Sequence, residues 1–477
     1  MRRRGRTSGS TATCSSASPR RYPAPTASII SRCSEAVASL AADHRDAAER
    51  LLSRRYRARF LALLLAVCTL TFMDRAVLSA VAQPLKLDLG FSDFQLGLLQ
   101  GLSFALLYAT MGVPIGRLAE RHSRLWILAI SITVFSVATL LCGLATGFLQ
   151  LFLLRMTVGV GEAGFMSPTS SLVGDHYPAS QRASALSVIM LGSPIGNAIG
   201  AIAGGWIADE WGWRVAFYAM GAPGIVVAAL LLILLREPPR GLAEGAPPER
   251  RPAESFGTVL RTVFAKRTYI HALAGATLAT FGLVAIGQFQ MVFFVRAYAL
   301  SLTDAGLIQG ASVFVALSLG TLIGGFGSDW AAKRDKRWSL WMPAIGVTGA
   351  AIAYSVGFLA TSLPVSIGAL LLGGMLLFLF YTPTYATAQN LVGPRMRATA
   401  VAIIAMCCGL VGSGLGPTWL GFASDRIAAS VGGAEASATG IRYALASVTL
   451  AFLWSAIHYL IAARTLRGDL YQAPEVR

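Results

Sequence analysis

From Phe60 onward the chain is a succession of apolar segments of about 20 residues or more, the length an α-helix needs to cross a bilayer. Twelve are legible, near 60–82, 94–115, 124–146, 148–172, 183–208, 213–236, 269–296, 304–328, 338–360, 363–391, 398–424 and 441–464. Inside lipid every backbone polar group must be satisfied within the protein, so such segments read as a bundle of transmembrane helices. The expected fold class is therefore an all-α membrane protein. Only 13% of the residues are charged, against about 25% in soluble domains. The net charge of +17 would suit a nucleic-acid binder, but no basic helix or aromatic–basic platform accompanies it. Its arginines stand in the N-terminal tail and in short connections. With the N-terminus inside, roughly seventeen Lys and Arg fall in the inner connections and about five in the outer ones, which predicts that both termini are cytoplasmic.

The longest break, 237–267, is rich in proline, glycine and charge and divides six segments from six. The domains expected are a basic cytoplasmic tail at 1–58, a six-helix bundle at 59–236, a cytoplasmic linker at 237–268, a second bundle at 269–464 and a tail at 465–477. Residues 1–42 read as disordered, 47–59 as a short basic surface helix. A second short helix is expected at 256–264. The halves repeat one another. Gly97-Leu-Leu-Gln100-Gly101 opens the second span as Gly306-Leu-Ile-Gln309-Gly310 opens the eighth. Gly116 and Glu120 match Gly325 and Asp329, Arg182-Ala-Ser-Ala matches Arg397-Ala-Thr-Ala, and Gly205-Trp-Ile-Ala-Asp209 matches Gly421-Phe-Ala-Ser-Asp425. Repeated six-helix halves are a transporter architecture, with the ligand held between them near the midplane.

Charges sit where they are costly. Asp74 and Arg75 lie in the middle of the first span, Arg155 and Glu162 in the fourth. Each such group costs roughly 2.5–3.5 kcal/mol at the bilayer centre, which favours a functional bundle interior over lipid. Asp74 and Glu162 fall at similar depth, roughly 20 Å from the inner ends of their spans, and are the candidate proton-coupling residues. Arg75 and Arg155 are candidates to bind an anionic substrate. A static ion-pair network tying the two spans together is the other reading of the same four residues. The second half offers apolar walls and amides instead, with Gln288, Phe289, Tyr381 and Tyr385 as candidate substrate contacts, although such aromatics also serve ordinary packing. Gly192, Gly196, Gly200 and Gly204 make a small-residue stripe suited to close helix packing. The six cysteines and five histidines have neither metal-site nor disulfide spacing. No metal and no cofactor other than the coupling proton is expected, and no nucleophile–base or nucleotide motif suggests an enzyme.

The loop Gly116-Arg-Leu-Ala-Glu120-Arg121-His-Ser-Arg124, with its copy Gly325-Phe-Gly-Ser-Asp329-Trp-Ala-Ala-Lys333-Arg334, resembles the signature loop of the major facilitator superfamily. Glu120 stands for the usual Asp and Ser123 for the second Gly. Arg155-x-x-x-Gly159-x-Gly161-Glu162-Ala163 with Phe72-Met-Asp74-Arg75 resembles the Spinster branch, as do Lys86-Leu-Asp88-Leu-Gly90-Phe-Ser92-Asp93 and Gly204-Gly205-Trp206. The resemblance implies two pseudo-symmetric six-helix bundles. It further implies an inner gate of Gly116, Glu120, Arg121, Arg124, Asp329, Lys333 and Arg334, whose contacts across the halves hold the outward-open state and break when the inside opens. Lysolipid-like cargo follows from the Spinster likeness; uptake of small carboxylates or sugar acids and a non-transporting sensor are the alternatives. The partners expected are membrane lipids and a small or lipid-like substrate, with the protein a monomer in a bacterial inner membrane.

Overall fold

The computed structural model describes residues 51–243, 255–393 and 396–471. Twelve of its helices are long and apolar enough to cross a membrane. In chain order these spans are Arg54–Leu89, Asp93–Arg121, Arg124–Cys142, Phe148–His176, Ser180–Trp211, Trp213–Leu234, Arg267–Tyr298, Leu302–Ala332, Trp338–Leu359, Leu363–Asn390, Arg397–Val431 and Ala436–Asp469. No strand occurs among the described residues. An even number of spans brings Arg54 and Asp469 to the same end of the bundle, called here the termini end.

Local chemistry accounts for the helix limits. Ser53 caps the first span by accepting from the Tyr56 amide, and Gly90 stops it in the left-handed region at φ 69°. Residues 54–59 therefore belong to the first span and not to a separate surface helix, because nothing after Ser53 interrupts the hydrogen-bond ladder. The remainder of that expected helix, up to residue 50, and the disordered reading of 1–42 lie outside the described residues. The linker helix stands at Phe256–Phe264, capped by Ser255. The last span runs on to Asp469, past the 464 expected.

Several spans are jointed. The second bends at Gly101, the fourth at Gly164 and the fifth at Leu191. A 3-10 turn at Phe378–Phe380 and a π-helical turn at Cys408–Ser413 interrupt the tenth and eleventh. Within the first half, the glycine stripe lies against the first span. A Cβ on Gly196 would collide with the Thr69 carbonyl, and one on Gly200 would come 2.6 Å from the Met73 carbonyl. In the second half, the seventh and ninth spans pack on the twelfth.

Where the halves touch each other decides the state of the molecule. The fifth span packs on the eighth and the second on the eleventh, in each case through the segments farthest from the termini. Among the described residues, the hydrogen bonds and ion pairs that join the halves all lie toward that far end. Toward the termini end no hydrogen bond or ion pair joins the halves among the described residues.

Candidate functional site

The first and fourth spans place their four charges in crossed pairs. Arg155 Nη1 donates to Asp74 Oδ2 at 2.9 Å, and the Thr139 hydroxyl of the third span donates to Asp74 as well. Arg75 Nε donates to Glu162 Oε2 at 2.7 Å. The acids thus do not face each other; each takes one arginine. The pairs differ in access. Both side chains of Asp74–Arg155 are 3% exposed, whereas Glu162 is 0% and Arg75 26% exposed. Glu162 Oε1 is buried with no hydrogen-bond partner. The helix breaks two residues beyond Glu162, at Gly164.

Aromatic rings surround the accessible arginine. The Arg75 guanidinium lies 4.6 Å from the Phe104 ring centre, 5.0 Å from Tyr108 and 5.1 Å from Phe72. Such cation–π contacts hold a guanidinium in place without neutralising it. Tyr381, 46% exposed, faces this cluster from the second half, within electrostatic reach of Arg75 and Tyr108. Its ring is 5.0 Å from that of Tyr385. Gln288 is half-buried, and its side-chain oxygen has no partner. Phe289 is a correction: it is 0% exposed and belongs to the second half's own core. On the seventh span, Gly282, Ala285, Phe289 and Phe293 are buried at helical spacing. Phe452 of the twelfth span packs against Gly282 on that stripe.

The far end carries a closure built twice. Gly421 of the eleventh span lies against the start of the second, where a Cβ would collide with the Asp93 carbonyl. Four residues on, the Asp425 carboxylate accepts from the Asp93 amide at 3.0 Å and the Phe94 amide at 2.8 Å. The repeat-related fifth span does the same to the eighth. Gly205 abuts the Leu302 carbonyl, and Asp209 accepts from the Thr303 amide at 3.2 Å and its hydroxyl at 2.7 Å. Each aspartate faces the positive N-terminus of a helix from the opposite half. Asp93 itself is clamped by both Arg296 nitrogens, at 2.7 and 2.8 Å, by Lys86 at 2.6 Å and by Ser424 at 2.6 Å.

At the termini end, the gate residues make no bridge between the halves among the described residues. Gly116 packs on Ser167 of its own half. Glu120, Arg121, Asp329, Lys333 and Arg334 are exposed, and Arg334 lies over the Trp330 ring of its own span. Arg124 is buried and turned inward. It donates to Asp175 and Ser171 of the fourth span, to Glu237 at 2.7 Å and to the Pro238 carbonyl. Burial works to raise the Glu237 carboxyl, but the Leu125 amide, Arg124 and Ser123 outweigh it and hold it below the ordinary carboxylate range.

The sequence reading did not single out Tyr108, Phe104, Thr139, Asp175, Glu237, Arg296 or Asp93 as site residues. Asp93 and Arg296 had a visible signal, being charges at the mouths of spans from different halves. The aromatic cage had none beyond helical spacing.

The sequence model of the Major Facilitator Superfamily matches residues 63–417. An MFS-type efflux pump of Mycolicibacterium smegmatis is 30% identical over 407 residues, covering 85% of this chain and 92% of the pump. The sphingosine-1-phosphate transporter SPNS2 of Danio rerio is 27% identical over 383 residues, covering 77% of this chain and 76% of that protein. Among solved structures, a bacterial homolog of the human lysosomal transporter Spinster, in an inward-facing and unoccupied conformation, superposes with a TM-score of 0.81. Its identity is 30%, and the match covers 88% of this chain and 99% of the other.

Proposed function

The chain belongs to the major facilitator superfamily, in its Spinster-like branch, and from that premise we propose that it is a proton-coupled transporter of an amphipathic organic anion. That it is a multi-pass membrane transporter follows from its family; the coupling ion and the cargo are our reading. The observation that carries it is the Arg75–Glu162 pair: a partly open, aromatic-caged arginine bonded to a buried carboxylate whose second oxygen has no partner. A proton on Glu162 releases Arg75 from its counter-ion, and the freed guanidinium then attracts an anionic head group. Proton and anion therefore favour each other's binding, and by linkage each raises the affinity for the other equally. Asp74 acts through Arg155, their ion pair tying the fourth span to the first. Tyr381, Tyr385 and Gln288 line the opposite wall, beside which an apolar tail can lie. The lipid-like cargo of the SPNS2 relative supports such a substrate.

With both termini in the cytoplasm of a bacterial inner membrane, the open end faces inward. Glu120 and Asp329 then form the gate that must close before the far end opens. The test is flux of a fluorescent lysophosphatidic acid into proteoliposomes, with and without an imposed pH gradient, set against gluconate as the small-carboxylate alternative. The gradient should accelerate lysolipid uptake in the wild type and have no effect on Glu162→Gln. A gradient response that persists in Glu162→Gln refutes the coupling and favours the static network.

A further inference from the structure

We propose that the second half carries a separate anion site at the termini end, built by Lys333, Lys336 and Arg397 and suited to a phosphate monoester. The internal repeat aligns the two halves at this place. Matching Gly116 and Glu120 with Gly325 and Asp329 pairs Arg124 with Lys333 at the same offset. Matching Arg182 with Arg397 pairs Asp175 with Asn390 and Leu172 with Thr387.

In the first half this place is filled and neutralised. Arg124 is buried between the carboxylates of Asp175 and Glu237, and the start of the linker closes over it, with Gly241 N donating to Asp175 and Arg240 to the Ala119 carbonyl. In the second half the first of these acids is replaced. Asn390 stands where Asp175 would, and the chain leaving the twelfth span presents Leu470 and Tyr471. What remains is a cavity of about 580 Å³ whose lining includes Lys333, Lys336, Arg397, Asp329, Asn390 and Thr387.

The charge on the cavity wall points to a ligand. Lys333, Lys336 and Arg397 make no ion pair with any described residue, so three cations face one carboxylate, Asp329. Thr387, 2% exposed, forms part of the cavity wall, with its hydroxyl sealed beneath the surface. Its repeat mate Leu172 is fully buried apolar core. A net surplus of two positive charges matches a phosphate monoester, which carries about −1.5 to −2 at pH 7. A lipid head group and a soluble phosphate share this chemistry.

The site lies outside the Arg75–Glu162 cluster and does not rest on the transport reading. Full-length protein in phosphatidylcholine nanodiscs would be titrated with inorganic phosphate by calorimetry. In parallel, nanodiscs containing phosphatidic acid would be compared with pure phosphatidylcholine for thermal stabilisation and lipid retention in native mass spectrometry. Binding of either probe supports the site, and which one binds identifies the source. Asn390→Asp restores the internal carboxylate without removing a cation and should weaken binding at least tenfold. Lys333→Gln with Arg397→Gln should do the same, while Arg75→Gln should leave binding intact. The proposal is overturned if neither probe binds the wild type, if Asn390→Asp and the double variant bind like it, or if Arg75→Gln abolishes binding, which would place the anion in the central cluster.

Discussion

Replacing both far-end aspartates, Asp209 and Asp425, by alanine should open the end that this structure shows closed. Asp425 accepts two amide hydrogens at the start of the second span, and Asp209 an amide and a hydroxyl at the start of the eighth. Losing such a helix-capping side chain costs about 0.5–2 kcal/mol, and the charge–dipole part lies within about 0.3–1 kcal/mol at an exposed terminus. Taking about 1–2 kcal/mol for each site, the pair supplies about 2–4 kcal/mol. Because both contacts cross between the halves, they exist only while the far end is closed, so their loss falls on that state alone. At 1.4 kcal/mol per tenfold, the equilibrium shifts toward the far-open state by roughly 30- to 700-fold. The two sites belong to different helix pairs, so each single variant should give about half of the total free energy. Spin labels at Leu87 and Val431, both exposed near the far end, in a background without native cysteines, would report the distance between halves. A distance distribution in the double variant that matches the wild type refutes the reasoning.

Two further outcomes follow from burial. Arg124→Ala leaves Asp175 and Glu237 without their shared cation and should cost about 3–5 kcal/mol, read as a lower thermal midpoint in detergent. Since the folded Glu237 carboxyl is held low, its contribution is present above the ordinary glutamate value near ~4.3 and is lost as pH falls through the folded value; Glu237→Gln should flatten the acid limb of thermal stability. Phe289→Ala should cost about 3–5 kcal/mol of stability as a core truncation while leaving cargo KM unchanged, and Gln288→Ala should show the opposite pattern.

The twelve spans, the linker helix and the repeat were legible because each rests on a pattern longer than any single contact. An apolar run long enough to cross a bilayer allows little besides a helix, and the expected spans overlap the observed ones throughout. The glycine stripe on the fifth span was legible for the same reason, since four small residues at intervals of four define one face, which the structure sets against the first span. Charges inside apolar runs drew attention to Asp74, Arg75, Arg155 and Glu162, yet not to how they pair. Sequence depth placed the two acids at one level, whereas the helix faces turn each toward an arginine. Phe289 differs from the expectation because an aromatic one residue from Gln288 looks equally available in sequence, and only the packing of the second half decides which of the two is buried.

The repeat is the deeper source of the working geometry, because each of its two copies supplies one closing element at the far end and one signature loop at the termini end. The Gly-x-x-x-Asp ends of the fifth and eleventh spans require both features at once. The glycine lets a foreign helix start come within backbone contact, and only at that distance can the aspartate four residues later reach its amides. The signature loops at the termini end have acids too, but Glu120 and Asp329 are exposed and find no partner across the halves among the described residues. In the proposed cycle one end is satisfied only when the other is not, because closing the gate at the termini end requires the far end to part. That opposition is what alternating access needs from a protein with no motor. The closing charges sit at the ends of the spans, while the middle holds the Arg75–Glu162 pair, the more exposed of the two pairs in the quartet and the one where the proposed exchange of counter-ion takes place.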